Sequence, residues 1–167
     1  RNITAHLLEK GCTLPGFMGD IGYAQSNRER YEGFCQALMD AGKTPNPSLC
    51  LTTPLGIDSY REEIDSFLSS LSRMPDAFVC ASDYVACILM QLLEKRGLRV
   101  PEDVAVSGFD NNIEDLLAEN LTTVQVFNEE LGSRLALQIL YRIKYPHTPH
   151  EVTYLESKVL YRASTGD

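Results

Sequence analysis

Four polar residues stand where predicted strands end or where the helices that follow them begin: Arg30, Ser82, Asp83 and Asp110. Ligands of open α/β sheets bind outside the carboxyl ends of the strands, so these positions are candidates for contact with a small molecule. Carboxylates accept hydrogen bonds from hydroxyls, and a guanidinium offers paired donors. The set favours binding of a neutral polyol or sugar, since it contains no nucleophile beside a base, no glycine-rich phosphate loop and no histidine.

Each of these residues also has a structural interpretation. Arg30 can pair with Glu29 or Glu32, which would offset a cation in the first turn of a helix. Asp110 and the Ser-Asp pair at 82–83 can cap the helices that follow them. Both interpretations stay open at the level of sequence.

Four short apolar runs predict the strands that would position the polar residues. They begin at residues 14, 49, 77 and 104, with steps of 35, 28 and 27 residues, about one strand plus a crossover helix. Strict alternation of polar and apolar residues is lacking, as is typical of strands covered on both faces. The predicted fold class is α/β with a parallel, doubly wound sheet; the predicted strands are 14–18, 49–53, 77–81 and 104–109.

Amphipathic stretches predict the helices between these strands. Ser26 and Glu29 have the spacing of a capping box, and the helix behind them is expected to stop at Gly42. The chain also begins on a helix that has no strand upstream to dock it. The other predicted elements are helices near 58–71, 82–97, 113–118 and 129–145, a fifth strand at 122–126, and a closing strand or hairpin at 152–161.

Composition narrows the classes of partner. Fifteen Lys and Arg against 23 Asp and Glu give a net charge of -8, which speaks against a direct grip on nucleic acid. No apolar run reaches the length of a membrane span. Five cysteines without metal-site spacing indicate reduced thiols in a cytoplasmic protein. His147 and His150 spell HxxH between two prolines, which favours a loop over a metal site.

Five motifs in order resemble those of the LacI/GalR transcriptional regulators. The segment Val100–Asp110 resembles the VPEDV-x-V-x-GFD signature, and Ala81–Asp83 resembles the A-N-D motif. Arg30–Phe34 resembles the R-x-x-GF element, Leu121–Val124 the LTT-V crossover, and Leu160–Thr165 the closing L-x-R-x-S-T strand. Each motif is weak by itself, but together they extend over nearly the whole chain.

The resemblance implies a role for each candidate residue. Arg30 matches the arginine that anchors effector hydroxyls or carboxylates, and Asp110 matches the acid that reads sugar hydroxyls. Ser82 stands where the family commonly has Asn, and Asn111 replaces a frequent second Asp. Asp83 completes the implied ligand-binding set. The resemblance implies no catalytic residue, no metal and no cofactor.

The resemblance also implies a domain organisation. Residues 1–167 would form one lobe of a two-lobed, periplasmic-binding-protein-like type I effector domain, with the helix-turn-helix headpiece and most of the first lobe absent. Residues 127–150 would cross into that missing lobe, leaving an apolar stripe without its cover: Leu131, Leu135, Ile139 and Ile143. Such a stripe predicts rearrangement or self-association of this chain.

The sequence is therefore compatible with three functions. The first is the ligand-sensing domain of a cytoplasmic, homodimeric LacI-type regulator that binds a sugar-like effector and reaches operator DNA only through the absent headpiece. The second is an extracytoplasmic sugar-binding protein of an uptake system. The third is a doubly wound enzyme, which the lack of an acid/base pair or metal set at the strand ends disfavours.

Overall fold

The computed structural model describes residues 1–56, 58–112 and 116–167. Strands and helices alternate along most of the chain, as the spacing of the apolar runs predicts. In chain order the elements are α1 (Asn2–Glu9), β1 (Pro15–Met18), α2 (Gln25–Asp40), β2 (Cys50–Leu51), α3 (Tyr60–Ser70), β3 (Ala77–Cys80), α4 (Asp83–Lys95), β4 (Ala105–Ser107), α5 (Leu116–Glu119), β5 (Thr123–Gln125), α6 (Asn128–Lys144) and β6 (Lys158–Leu160). Two 3-10 turns, Pro47–Leu49 and Ala163–Thr165, complete them.

Four strands form a parallel sheet in the order β2-β1-β3-β4. Phe17 pairs with Cys50 on one side and with Val79 on the other, so β1 lies inside the sheet. Val79 also pairs with Ser107, which places β4 at the far side of β3. The parallel, doubly wound sheet expected from the sequence is therefore confirmed.

Helices cover both faces of this sheet because successive strand residues point to opposite sides. Phe17 faces a cluster with Phe34 and Leu38 of α2 and Leu7 of α1. The next residue, Met18, faces the other cluster, which joins side chains of α3 and α4. Both Phe17 and Met18 are fully buried, so the short strands lie between two apolar layers.

A second, two-stranded ribbon joins the edge of the sheet. In it β5 and β6 are antiparallel, with Val124 opposite Val159. Isolated parallel bridges link β5 to the end of β4, one between Ser107 and Thr122 and one between Asp110 and Gln125. The two strands of the ribbon precede and follow α6 in the sequence, so both connections to α6 leave the sheet at this edge.

The predicted capping box is wrong. Helix α2 begins two residues earlier than that motif requires, at Gln25, and Ala24 occupies the N-cap position without a side-chain hydrogen bond. The preceding turn is organised by Asp20 instead, whose carboxylate accepts the amides of Gly22 and Tyr23. Asn27 donates its side-chain amide to the Asp20 carbonyl, which ties the helix to that turn.

Other predicted boundaries shift in the structure. The second strand contains only two residues, Cys50–Leu51; a 3-10 turn at Pro47–Leu49 replaces its predicted first residue, and the strand ends before Thr52. The closing segment is a strand only at Lys158–Leu160. The short helix predicted at 113–118 starts at Leu116 in the described part of the chain, and residues 113–115 lie outside it.

Helix α6 lies on the surface of the structure. Each of its residues is exposed or at most half-buried, and the four stripe residues are 48 to 73% exposed: Leu131, Leu135, Ile139 and Ile143. An apolar stripe of this length exposed to water is costly, because burial of a large aliphatic side chain is worth about 1.5–3 kcal/mol.

All five cysteines lie in the described part of the chain, and none of them forms a disulfide. Among the described residues, no helix combines the length and the apolar character that crossing a membrane requires.

Candidate functional site

The ends of β1 and β3 approach each other closely at the centre of the sheet. A Cβ atom at Gly19 would lie 2.2 Å from the Cβ of Ala81, so only glycine fits after β1. This is the point where the order of strands reverses, the usual position of a ligand crevice in open α/β sheets. The strand ends beside Ala81 are therefore the place where a ligand crevice is expected.

Arg30 reaches this crevice from the second turn of α2. Its Nη1 donates to the carbonyl of Ala81 at 2.5 Å and to Oδ1 of Asn27 at 3.3 Å. Its guanidinium carbon lies 3.6 Å from the centroid of the Phe109 ring, a cation–π arrangement. The side chain is thus held on three sides and is not a mobile surface arginine.

Asp110 completes the arrangement from the loop after β4. Its Oδ1 lies 3.5 Å from Nη2 of Arg30, and the two side chains are 28% and 21% exposed. The structure therefore brings together two residues that the sequence separates by 80 positions. The ion-pair partner of Arg30 in the described structure is Asp110, and not the adjacent glutamates of α2 that the sequence also allowed.

Burial dominates the electrostatics of this pair. It lowers the pKa of Arg30 although Asp110 and Asp83 both act to raise it. It raises the pKa of Asp110, with Arg30 opposing the shift and Asp83 adding to it. Removal from water thus outweighs the attraction between the two charges, so a ligand that supplies hydrogen bonds to both would relieve part of that cost.

The backbone around Asp110 adopts conformations that favour glycine. Its φ is 111° and that of Asn111 is 50°. Such angles cost of order 1–3 kcal/mol in non-glycine residues and persist where the surroundings hold them, often at functional sites. One such support is the amide of Asp110, which donates to the carbonyl of Val124 at 3.0 Å.

Asp83 lies beneath this loop and is only 2% exposed. Its Oδ1 accepts the hydroxyl of Thr123 at 2.6 Å, and its carboxylate also accepts backbone amides of the loop, including that of Asn111. Burial raises its pKa, and these hydrogen bonds oppose the shift. Gly108 passes so close that a Cβ there would lie 2.2 Å from Asp83 Oδ1. The Asp83 carboxylate is therefore buried and hydrogen-bonded to the loop, and its predicted contact with a ligand stays a prediction.

Ser82 is the N-cap of α4. Its Oγ accepts the amide of Val85 at 3.3 Å, so the capping interpretation is confirmed. The Ser82 side chain is half-buried at the end of β3. It follows Ala81, whose carbonyl accepts a hydrogen bond from Arg30. A capping hydroxyl still has its proton to donate, so contact with a ligand remains compatible with this role.

Several residues near the crevice were not identified from the sequence. Phe109 supports the guanidinium of Arg30, and Thr123 satisfies the buried Asp83. Tyr84 is 54% exposed at the start of α4, and its ring meets that of Tyr60 edge to face at 5.6 Å. An aromatic residue directly after the Ser82–Asp83 pair was the signal in the sequence that could have indicated Tyr84.

A cavity of about 250 Å³ borders the Arg30 side of the crevice. Arg30 and Phe109 contribute to its wall together with Thr4, Val124 and Val159. Within residues 1–56, 58–112 and 116–167, no group of three or more His, Cys, Asp or Glu side chains is arranged to hold a metal ion. The site therefore offers hydrogen-bonding and aromatic groups around a concave surface.

Comparison with known proteins identifies the family. The model of the periplasmic binding protein-like domain matches residues 4–165. The HTH-type transcriptional repressor PurR of Aliivibrio salmonicida is 29% identical over 163 residues, which are 96% of this chain and 48% of the repressor. The chain thus spans about half the length of this curated relative.

Solved structures agree with this match. A protein of Sanguibacter keddieii described as a transcriptional regulator of the LacI family superposes with a TM-score of 0.85 at 28% identity, covering 99% of this chain and 63% of that one. A complex of the transcriptional regulator CelR with cellobiose gives a TM-score of 0.84 at 28% identity, covering 96% of this chain and 49% of that one. Because these relatives are transcriptional regulators, they do not favour the alternative function of a solute-binding protein for uptake. The chain belongs to the periplasmic binding protein-like domain family, and its relatives are LacI-type transcriptional regulators.

Proposed function

We propose that this chain is the second lobe of the effector-binding domain of a LacI-type transcriptional regulator, and that it binds a small sugar-like metabolite. The observation that carries the proposal is the convergence of Arg30 and Asp110 on one crevice at the ends of β1, β3 and β4. A guanidinium and a carboxylate at this distance offer donors and acceptors to adjacent hydroxyls of one molecule.

The functions named for the relatives support a regulatory role for this chain. PurR is a transcriptional repressor, and the structure of CelR contains cellobiose, a neutral disaccharide. A ligand of that class suits a crevice whose two charged groups already balance each other, because it brings hydroxyls and no further charge. An effector would bias the regulator between states that differ in affinity for operator DNA.

Each candidate residue then has a distinct task. Arg30 donates to effector oxygens, and Asp110 accepts from effector hydroxyls. Ser82 contributes its hydroxyl at the end of β3 while capping α4. Asp83 acts at one remove, since it holds the loop that carries Asp110.

Helix α6 fits the same proposal. We infer that residues 127–150 pack against a first lobe in the complete regulator, which would bury the stripe that is exposed in this chain. Operator DNA would be bound by a helix-turn-helix headpiece, because the chain itself carries a net charge of -8. A homodimer and a cytoplasmic location follow from the same proposal.

The proposal is tested with the complete gene product. Calorimetry with neutral sugars, cellobiose included, should identify a ligand, and a ligand at about 100 times its Kd should add about 2.7 kcal/mol of stability. The same ligand should change operator affinity in a fluorescence anisotropy assay. If no neutral sugar binds, or if a bound sugar leaves operator affinity unchanged, the proposal fails.

Variants assign the site once a ligand is found. Arg30→Gln and Asp110→Asn should each weaken effector binding by about tenfold or more, as loss of a hydrogen bond to a charged group does. Arg28→Gln is the matched control, because Arg28 is an exposed arginine two residues away on the same helix. Equal effects of all three variants would remove the site assignment.

A further inference from the structure

The guanidinium of Arg162 makes three hydrogen bonds beside the candidate site. The residue follows β6 and is half-buried. Its Nη1 donates to the carbonyls of Ala118 at 3.0 Å and Leu121 at 3.1 Å. Its Nη2 donates to Oδ1 of Asn111 at 2.9 Å. One guanidinium therefore joins the end of α5, the start of β5 and the residue next to Asp110.

The side chain of Asn111 also connects this loop to β5. Its side-chain amide also donates to Oε1 of Gln125 at 2.5 Å, so both ends of the amide group are bound. Its backbone has a φ of 50°, which Asn tolerates better than most residues. Two side-chain contacts thus hold a residue whose backbone conformation sets the direction of the loop.

The backbone of the same segment is anchored as well. The amide of Arg162 donates to Oγ1 of Thr122 at 2.7 Å, and Oγ1 of Thr122 donates back to the Arg162 carbonyl at 3.1 Å. Oγ of Ser164 donates to the carbonyl of Val106 in β4 at 2.6 Å. The guanidinium therefore projects from a segment that is fixed to the sheet.

Resting on the function proposed above, we propose that Arg162 is a positioning residue of the effector site, which holds Asp110 opposite Arg30 by binding Asn111. Asp110 has a φ of 111° and lies within the loop that Asp83 supports. Asp83 holds this loop from below through backbone amides, and Arg162 holds it from the ribbon side through the Asn111 side chain.

The connection also has a consequence for regulation. β5 leads into α6 and β6 returns from it, and the Asn111 amide is bound to the last residue of β5, Gln125, and to Arg162, two residues after β6. A displacement of α6 relative to the sheet would therefore be transmitted to the conformation of the Asp110 loop. In the reverse direction, a ligand that fixes Asp110 would restrain the two chain segments that join the sheet to α6.

Hydrogen–deuterium exchange of the complete gene product without effector tests the contact. Arg162→Met removes the guanidinium, and Asn111→Gly removes the amide while keeping the left-handed backbone accessible. Each variant should accelerate exchange of the amides at 108–112 by about tenfold, with little change in β1 and β3. Arg99→Met is the matched control, because Arg99 is an exposed arginine that pairs with Asp103.

The double variant separates positioning from general support. If Arg162 acts through Asn111, Arg162→Met combined with Asn111→Gly should accelerate the 108–112 amides no more than the larger of the two single changes. Additive effects, acceleration spread over the whole sheet, or an unchanged loop in Arg162→Met would each overturn the proposal. Because no effector is used, this result is independent of whether a sugar binds.

Discussion

The guanidinium of Arg30 lies between the carboxylate and the aromatic ring of two consecutive residues: its Nη2 is 3.5 Å from Asp110 and its carbon is 3.6 Å from the ring centroid of Phe109. The loop after β4 thus supplies both the charge partner and the aromatic support for an arginine of α2. This relationship fixes the orientation of the arginine before any ligand arrives, which reduces the entropy that binding must cost.

Replacement of Arg30 should destabilise the folded chain. Arg30→Gln leaves the carbonyl of Ala81 and the carboxylate of Asp110 without their partner, at a cost of about 1–3 kcal/mol. Urea denaturation measures the change. Arg28→Gln should stay within about 0.5 kcal/mol of wild type, as is usual for exposed positions. Equal stability of the two variants would show that the contacts of Arg30 contribute nothing to folding.

The raised pKa of Asp110 predicts a pH dependence with a defined sign. Because burial lifts this pKa above the ordinary value of 3.8, the folded state holds the proton at a higher pH than the unfolded chain does. The wild type should therefore gain stability relative to Asp110→Asn as the pH falls from neutral through the raised pKa, and the gain should be complete below the unfolded value.

Urea unfolding of both proteins between about pH 7 and about pH 4 measures this difference, in which the contributions of carboxylates that do not interact with Asp110 cancel. A relative loss of wild-type stability on acidification would contradict the prediction, because it would mean that the attraction of Arg30 exceeds the effect of burial.

The buried hydroxyl of Thr123 should stabilise the chain through Asp83. Thr123→Val keeps the size and β-branching of the side chain but leaves Asp83 Oδ1 without its 2.6 Å donor. A buried acceptor deprived of its partner costs about 1–3 kcal/mol, measurable by urea denaturation. Thr44→Val, at an exposed position, is the control. A loss no larger than that of the control would count against the role assigned to this hydrogen bond.

The exposed stripe of α6 predicts that this chain self-associates when it is expressed alone. Leu135 and Ile143 are 60% and 73% exposed, and apolar patches of this kind promote contact between molecules. Leu135→Glu with Ile143→Glu should shift the chain towards monomer in sedimentation velocity. Ser133→Glu with Ala136→Glu adds the same charge to exposed positions of α6 and should leave association unchanged. A wild-type chain that is already monomeric would refute the expectation.

The class of fold could be predicted because it depends on local patterns. Short apolar runs without polar alternation, at a nearly regular spacing, predict parallel strands covered on both faces. The structure contains such a sheet, whose strand order β2-β1-β3-β4 the sequence did not predict. Ser82 could be recognised as a helix start for the same reason, since an N-cap involves only residues three positions apart.

The local sequence pattern gave a wrong prediction where other side chains organised the start of a helix instead. The spacing of Ser26 and Glu29 fits a capping box, yet Asp20 and Asn27 organise the turn before α2 and the helix begins earlier. A short-range motif of this kind indicates what is possible, and the neighbouring side chains determine which possibility is realised.

The sequence by itself determined the alternation of strands and helices, the acidic balance, and the motifs that pointed to Arg30, Ser82, Asp83 and Asp110. Only the tertiary structure decided what these residues do: it paired Arg30 with Asp110, buried Asp83 beneath the loop, and connected that loop to Arg162. The physical reason is that periodicity follows from the geometry of one element, whereas a site is formed by side chains from separate elements, whose distances depend on how the layers pack.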